Sequence, residues 1–240
     1  MSTQISEGPL AVQLPSGTSL ERHIAPAPMK DSDATHKLAI CLHPWSWLGG
    51  RMDDPVLHTL IRPLHRRGYH VLRYNSRGVG RSSGWSSFTG SREAQDLNEL
   101  VKWATEAFNP VDSIVIIGYS YGALIASLQP LLPEPRVSHV LLSYPLGARH
   151  WLTAFHGKNY TDALTSLIRD RLSNVLIIYG DRDEFTSAEQ YEQWLEALNR
   201  DTQGERGSLQ TAKVENATHF WREQNAVDRL VEAIESWLPT

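Results

Sequence analysis

Apolar positions along this chain follow two alternating patterns, which together predict its architecture. Short runs rich in β-branched and other apolar residues are typical of buried strands, and they occupy residues 38–42, 70–74, 113–117, 137–143, 174–179 and 209–214. Segments with a helical spacing of apolar residues lie at 55–67, 92–108, 188–198 and 222–238. Because strands that alternate with helices form a parallel sheet covered on both faces, the pattern predicts a doubly wound, mostly parallel α/β fold.

Two segments depart from this alternation. Residues 12–24 can form two short antiparallel strands around the turn Pro15-Ser16-Gly17, which predicts an N-terminal hairpin. Between Pro145 and Asn174 only about thirty residues are available, near the minimum for a crossover with its helix. We therefore expect residues 146–172 to form a short flap and residues 1–240 to form a single domain.

Composition limits the classes of function. The 240-residue chain has 41% apolar and 21% charged residues and a formal net charge of −4, which gives no general attraction to nucleic acid or anionic membranes. Its single cysteine, Cys41, excludes an intramolecular disulfide. The N-terminus does not resemble a signal peptide, and no apolar run reaches the roughly 18 residues of a membrane span. We expect a cytoplasmic protein, a monomer or homodimer, whose partner is a small-molecule substrate.

The pentapeptide Gly118-Tyr119-Ser120-Tyr121-Gly122 carries the strongest chemical signal. It follows the predicted strand 113–117 and precedes the apolar, helix-forming run 123–128. A Gly-x-Ser-x-Gly sequence at a strand-to-helix corner forces a tight turn that exposes the serine hydroxyl, and the glycines avoid clashes within that turn. This context makes Ser120 the candidate nucleophile.

A serine nucleophile needs a base to take its proton and an acid to orient that base. Asp183 follows the apolar strand 174–179 and His219 follows the last predicted strand, so both lie where parallel sheets place catalytic groups. The order Ser120, Asp183, His219 is the order found in hydrolases with this type of turn. Asp181 is the alternative acid, although an aspartate at its position more naturally bonds to the loop backbone.

These motifs resemble those of the α/β-hydrolase family, in particular its serine esterase and serine aminopeptidase branch with a small cap. The resemblance extends from about residue 10 to the end of the chain. It implies that Asp183, in a Gly-x-x-Asp-x-aromatic setting, is the triad acid and that His219 is the triad base. It also implies an oxyanion hole formed by the backbone amides of Tyr121 and Trp45, since Pro44 replaces the family's glycine and has no N–H.

A glycine-rich segment after the predicted strand that ends at residue 74 resembles the family's Arg-Gly-x-Gly-x-Ser sequence. Its Gly78 and Gly80 lack the third glycine and the following helix of a dinucleotide fingerprint, so we interpret them as turn residues. Arg77 is a candidate to brace the neighbouring loops. His58 and His65 share a helix face without a third ligand, and we expect neither a metal nor a cofactor.

Aromatic residues in loops at the predicted carboxyl edge of the sheet bear on the substrate. Trp45 and Trp47 lie in the oxyanion loop, and Trp151 and Phe155 lie in the flap. The candidate substrate contacts are Trp47, Tyr119, Trp151 and Phe155. They favour an apolar or aromatic acyl group, because such side chains line most ligand pockets.

The sequence thus predicts a serine hydrolase that cleaves a carboxylic ester or thioester through an acyl-enzyme on Ser120. An acyltransferase, a lyase or cyclase, or a C–C bond hydrolase with the same residues remains open, because one fold supports many chemistries. A non-catalytic ligand-binding protein on this fold is a third hypothesis, against which the intact set Ser120, Asp183 and His219 argues. Haloalkane dehalogenation is disfavoured, because that branch of the family carries aspartate at the nucleophile position.

Overall fold

A computed structural model describes residues 10–28, 35–87, 89–147, 157–204 and 206–239 of the chain. Within them, eight strands form one sheet in the spatial order β1-β2-β4-β3-β5-β6-β7-β8. The strands are β1 Leu10–Gln13, β2 Ser19–Ala25, β3 His36–Leu42, β4 Tyr69–Tyr74, β5 Val111–Tyr119, β6 Arg136–Leu142, β7 Asn174–Gly180 and β8 Ser208–Val214. The pairings β1–β2 and β2–β4 are antiparallel and the others are parallel, which confirms the mostly parallel α/β fold with its N-terminal hairpin.

Helices connect the parallel strands. They are α1 Pro55–Thr59, α2 Ile61–Arg66, α3 Ser91–Ala107, α4 Tyr121–Ala126, α5 Gly157–Arg169, α6 Ala188–Asp201 and α7 Gln224–Trp237, with a short 3₁₀ helix at Ser46–Leu48. The single helix predicted at 55–67 is divided in two at Leu60. The physical reason is Pro63, which has no N–H to donate to the carbonyl of Thr59. No described helix combines the length and apolar character needed to cross a bilayer.

The sheet is covered on both faces, and the central strand β5 contributes side chains to each. Ile114 and Ile116 pack in a core cluster with α3, α4, α5 and α6. Val115 and Ile117 alternate with them and pack on the opposite face, against α1, α2 and α7. Because both faces of β5 are buried, the backbone at its carboxyl end has a fixed position.

The parallel strands bring several loops to one edge of the sheet. Loops that follow β3, β5, β7 and β8 all start at the carboxyl ends of their strands, and β3 and β5 are direct neighbours. The predicted oxyanion loop follows β3, and Ser120 follows β5. Asp183 and His219 follow β7 and β8. This edge therefore carries all the residues that the sequence proposes for catalysis.

Candidate active site

The turn after β5 holds Ser120 in a strained backbone conformation. Ser120 has φ 55° and ψ −117°, between the end of β5 and the start of α4. A Cβ on Gly118 would overlap the carbonyl of Gly122, and a Cβ on Gly122 would lie 2.5 Å from the carbonyl oxygen of Leu42. A positive φ in a non-glycine residue is costly and persists where the surrounding structure enforces it. Close packing of the two glycines against backbone atoms supplies that constraint here.

A continuous chain of hydrogen bonds joins Ser120, His219 and Asp183. The distance from Ser120 Oγ to His219 Nε2 is 2.9 Å, and His219 Nδ1 lies 2.7 Å from Asp183 Oδ2. Since a carboxylate oxygen accepts, Nδ1 carries the proton and Nε2 presents its lone pair to the serine hydroxyl. The three residues are only 6%, 4% and 7% exposed, respectively. This arrangement can take a proton from Ser120 and stabilise the imidazolium that results.

Backbone amides orient the Asp183 carboxylate. Its Oδ1 accepts hydrogen bonds from the amides of Phe185 at 2.8 Å and Thr186 at 3.0 Å, which leaves Oδ2 for His219. The alternative acid, Asp181, instead accepts a hydrogen bond from the amide of Asn216 at 2.6 Å. Asp181 therefore links the loop after β7 to the loop after β8, and Asp183 is the aspartate that is hydrogen-bonded to His219.

The histidine loop is fixed by contacts that the sequence did not reveal. The amide of His219 donates to Glu184 Oε2 at 2.8 Å, and the Tyr119 hydroxyl donates to the His219 carbonyl at 2.7 Å. Two residues on, the indole N–H of Trp221 donates to Ser143 Oγ at 3.0 Å, and both of these residues have positive φ. Tyr119 is the last residue of β5, whereas Ser143 and Glu184 follow β6 and β7, so no local sequence pattern could identify these partners.

Tyr119 was a predicted substrate contact, and its placement does not support that role. The side chain is buried under the active site, and its hydroxyl is engaged with the backbone of His219. Trp47, by contrast, lies on the open surface and stacks on Trp45 with a ring-centroid distance of 6.0 Å. Trp151 and Phe155, the other predicted contacts, lie outside the described residues.

Two backbone amides lie where the predicted oxyanion hole requires them along the chain. Tyr121 is the first residue of α4, so its amide has no carbonyl partner within that helix. Trp45 directly precedes the 3₁₀ helix at the start of the loop after β3. Helix α4 packs closely against the end of β3 and the start of the loop that follows it. A Cβ on Gly122 would lie 2.5 Å from the carbonyl oxygen of Leu42 and 2.8 Å from that of His43. The role of both amides stays a prediction.

His43 fixes the start of the oxyanion loop. Its Nδ1 donates to the carbonyl of Pro44 at 2.6 Å, and its Nε2 accepts a hydrogen bond from the amide of Ser76 at 3.0 Å. Burial lowers the pKa of His43 to about 4, so the imidazole is neutral at pH 7. The sequence placed His43 in the oxyanion segment without assigning it this structural task.

The loop after β4 is braced by Arg77. Its guanidinium donates to both carboxylate oxygens of Asp96 in α3, at 2.7 and 2.6 Å, and both side chains are buried. Gly78 and Gly80 have φ of 73° and 58°, which is the conformation of turn residues rather than of a dinucleotide loop. Among the residues that the structure describes, no group of three or more His, Cys, Asp or Glu side chains could hold a metal ion.

A pocket of about 540 Å³ lies beside the elbow that carries Ser120. Its lining includes His43, Trp45, Trp47, Trp85, Glu93 and Tyr121. Trp47 and Trp85 form an exposed rim, with 76% and 86% of their surfaces accessible. Glu93 lies in the first turn of α3 and was not among the site residues predicted from the sequence. Glu93 lines the same pocket as residues of the loop after β3, and no sequence pattern indicates that this loop and α3 lie close together.

Comparisons of the sequence with known proteins identify a family and several relatives. Residues 22–237 match the sequence model of the family described as X-Pro dipeptidyl-peptidase (S15 family). An uncharacterized protein of Rickettsia prowazekii is 27% identical over 203 residues, which cover 85% of this chain and 79% of that protein. An uncharacterized protein of Schizosaccharomyces pombe is 29% identical over 173 residues, which cover 70% and 72% of the two chains.

Solved structures with the same fold include two serine hydrolases. An α/β serine hydrolase homologue from Coxiella burnetii is 25% identical, with a TM-score of 0.75 and coverage of 99% of this chain and 100% of the other. An α/β serine hydrolase without a lid from Xanthomonas campestris is 25% identical, with a TM-score of 0.73 and coverage of 99% and 98%. Together with the match over residues 22–237, they confirm the resemblance seen in the sequence: the chain belongs to the X-Pro dipeptidyl-peptidase (S15) family and is an enzyme of the α/β serine hydrolase type.

Proposed function

We propose that this enzyme hydrolyses a carboxylic ester or thioester with a small-to-medium apolar or aromatic acyl group, through an acyl-enzyme on Ser120. The observation that carries the proposal is the hydrogen-bonded chain from Ser120 Oγ through His219 to Asp183 Oδ2. The aromatic lining of the adjoining pocket supports the choice of acyl group.

The hydrogen bonds among Ser120, His219 and Asp183 support the following acylation step. His219 Nε2 takes the hydroxyl proton as Ser120 Oγ attacks the substrate carbonyl carbon, and the Asp183 carboxylate stabilises the imidazolium. The amides of Trp45 and Tyr121 donate hydrogen bonds to the oxyanion, and one such donor typically contributes about 3–4 kcal/mol to lowering the barrier. When the carbon–oxygen or carbon–sulfur bond breaks, His219 returns the proton to the leaving alcohol or thiol.

Deacylation repeats these steps with water. His219 takes a proton from a water molecule that attacks the acyl carbonyl, and the proton then passes to Ser120 Oγ as the carboxylic acid leaves. Replacement of that water by another nucleophile would give acyl transfer with the same residues. Product analysis with and without an added alcohol acceptor separates these two outcomes.

Labelling with a fluorophosphonate, followed by intact-mass measurement, tests the role of Ser120 directly. We expect a single adduct on the wild type, none on Ser120→Ala, and an unchanged adduct on Ser236→Ala, in which an exposed serine far along the chain is removed. Hydrolysis of a para-nitrophenyl ester should likewise be lost in Ser120→Ala and unchanged in Ser236→Ala. An adduct that persists on Ser120→Ala, or no adduct on the folded wild type, would contradict the proposal.

The family assignment favours a second candidate function, release of X-Pro dipeptides from peptides. The same nucleophile and base would cleave an amide, with the proton of His219 delivered to the leaving amine. Turnover of an Ala-Pro para-nitroanilide at a kcat/KM above that of para-nitrophenyl esters would favour the peptidase. Ester turnover without anilide turnover would favour the first proposal.

A further inference from the structure

The pocket beside Ser120 combines aromatic walls with one buried carboxylate. Trp45, Trp47, Trp85 and Tyr121 supply the aromatic surface, and Glu93 at the start of α3 contributes the carboxylate. Glu93 is only 3% exposed, yet it belongs to the pocket lining. A negative charge within aromatic walls is the combination that binds organic cations, because the faces of aromatic rings are themselves electron-rich.

Uncharged donors from Ser87 hold both oxygens of the Glu93 carboxylate. The amide of Ser87 donates to Oε1 at 2.7 Å, and the Ser87 hydroxyl donates to Oε2. Neither donor carries a charge, and Glu93 makes no salt bridge within the described part of the chain. A buried carboxylate without a cationic partner attracts a cation from the ligand, since charge separated from water is costly unless it is paired.

The other titratable groups of the pocket lining do not oppose a cation. Burial lowers the pKa of His43, so its imidazole carries no positive charge at pH 7. Burial, reinforced by the nearby Glu93 carboxylate, raises the pKa of the Tyr121 phenol, which therefore stays neutral. Among the described lining residues, Glu93 is the one acidic residue, and none is a lysine or arginine.

The position of the pocket identifies which half of the substrate enters it. His219 must face the leaving group to protonate it, yet none of the described lining residues belongs to the loops that carry Asp183 and His219. The lining does include Trp45 and Tyr121, whose amides face the carbonyl oxygen in the proposed mechanism. In the proposed mechanism, the pocket is therefore on the acyl side of the scissile bond.

We propose that the acyl group of the substrate ends in an organic cation, a quaternary or protonated tertiary ammonium, which binds between the tryptophans and the Glu93 carboxylate. This inference rests on the proposed function for its acyl side, and it names the substrate class of that site. The apolar surface of an alkylammonium group suits the aromatic walls, and its charge pairs with Glu93.

A pair of isosteric substrates tests the inference. One is the para-nitrophenyl ester of ω-trimethylammonio-butanoic acid, and the other carries a tert-butyl group in place of the trimethylammonium. The corrected ratio is kcat/KM for the cationic ester over kcat/KM for the neutral ester, divided by the ratio of their hydroxide-catalysed hydrolysis rates. We expect a corrected ratio of about ten or more for the wild type. A corrected ratio at or below one would overturn the inference.

Variants assign the preference to Glu93. Glu93→Gln keeps an acceptor for the Ser87 amide but removes the charge, so the corrected ratio should fall close to one. Glu106→Gln, which makes the same change on an exposed face of α3, should keep the wild-type ratio. If Glu93→Gln does not fold, Trp85→Ala should lower the ratio severalfold and Trp85→Phe should restore it, because Trp85 is exposed. Retention of the full ratio in Glu93→Gln, or in Trp85→Ala where Glu93→Gln does not fold, would overturn the assignment.

Binding measured without catalysis distinguishes failure of this inference from failure of the proposed function. Calorimetry on Ser120→Ala should show that choline binds more tightly than its neutral carbon isostere, and that the difference disappears in Ser120→Ala combined with Glu93→Gln. If no ester is hydrolysed but this difference is found, the cation site stands and the ester hydrolase proposal fails. If esters are hydrolysed but choline and its isostere bind equally, the cation site fails alone.

Discussion

The two sides of the proposed active site are built in different ways. On the histidine side, formed by the loops that carry Asp183 and His219, backbone and side-chain polar groups hold one another: the carboxylate accepts from two amides, and the histidine backbone is bonded at both its N–H and its carbonyl. On the pocket side, formed by residues 43–50 and 84–87, Trp47 and Trp85 present most of their surface to solvent.

This difference separates chemistry from recognition. Proton transfer needs donor and acceptor atoms held within a few tenths of an ångström, which the buried hydrogen bonds of the histidine side provide. Recognition of an acyl group needs accessible surface, which the exposed rings of the pocket side provide. Substitutions on the histidine side should therefore lower kcat and stability, whereas substitutions at the pocket rim should change KM.

The largest effect is expected from Asp183→Asn. An amide can donate to Nδ1 of His219 and so favour the wrong tautomer, which should lower kcat by about 10⁴-fold with little change in KM. Asp181→Asn is the matched control, because Asp181 bonds to the amide of Asn216 instead of to the histidine. Steady-state kinetics on a para-nitrophenyl ester decide between them. An equal loss of kcat in Asp181→Asn would mean that the two aspartates do not differ in role.

The second prediction concerns His43, which fixes the start of the oxyanion loop on the pocket side, and the dependence of protein stability on pH. The pKa of His43 falls from 6.5 to about 4 on burial, so unfolding takes up a proton between these values and stability decreases as the pH drops. His43 alone should contribute a loss of the order of 3 kcal/mol between pH 6.5 and 4. Burial also lowers the pKa of His70 and His139 to about 4, which adds to the loss in the same direction.

Urea unfolding across this pH range measures the effect. His43→Gln can keep both a donor and an acceptor without titrating, so its unfolding free energy should vary less steeply with pH than that of the wild type. Parallel curves for the two proteins would show that His43 does not titrate differently in the folded and unfolded states.

Tyr119→Phe should have a smaller effect, confined to the histidine side. Loss of the hydroxyl leaves the buried carbonyl of His219 without its donor, which should lower the free energy of unfolding by about 1 kcal/mol and reduce kcat severalfold. KM should not change, because the Tyr119 ring lies beneath the active site. Tyr179→Phe serves as a control, since no hydrogen bond joins its hydroxyl to any described residue. A rise in KM would return Tyr119 to its predicted role as a substrate contact.

The sequence predicted the histidine side better than the pocket side, for a physical reason. Ser120, Asp183 and His219 each follow a strand of a parallel sheet, and such a sheet brings the carboxyl ends of its strands to one edge. The contacts that fix the histidine loop, made by Glu184, Tyr119 and Trp221, join segments far apart in the sequence. The spacing of apolar residues carries no information about such contacts. The pocket depends on how residues 43–50 approach α3, so Glu93 could not be recognised before the fold was known.

The smallest effect on the protein itself is expected from Trp47→Ala, which is the most direct test of the separation between the two sides. Because the ring is 76% exposed, its removal should change the free energy of unfolding by no more than about 0.5 kcal/mol. The lost aromatic contact should raise KM for an aromatic acyl ester by about threefold to tenfold and leave kcat unchanged, while Trp47→Phe should recover most of the affinity. Steady-state kinetics with para-nitrophenyl benzoate and para-nitrophenyl acetate measure this, and the rise in KM should be confined to the benzoate. A fall in kcat without a change in KM would place Trp47 with the catalytic residues, and the two sides would not divide chemistry from recognition.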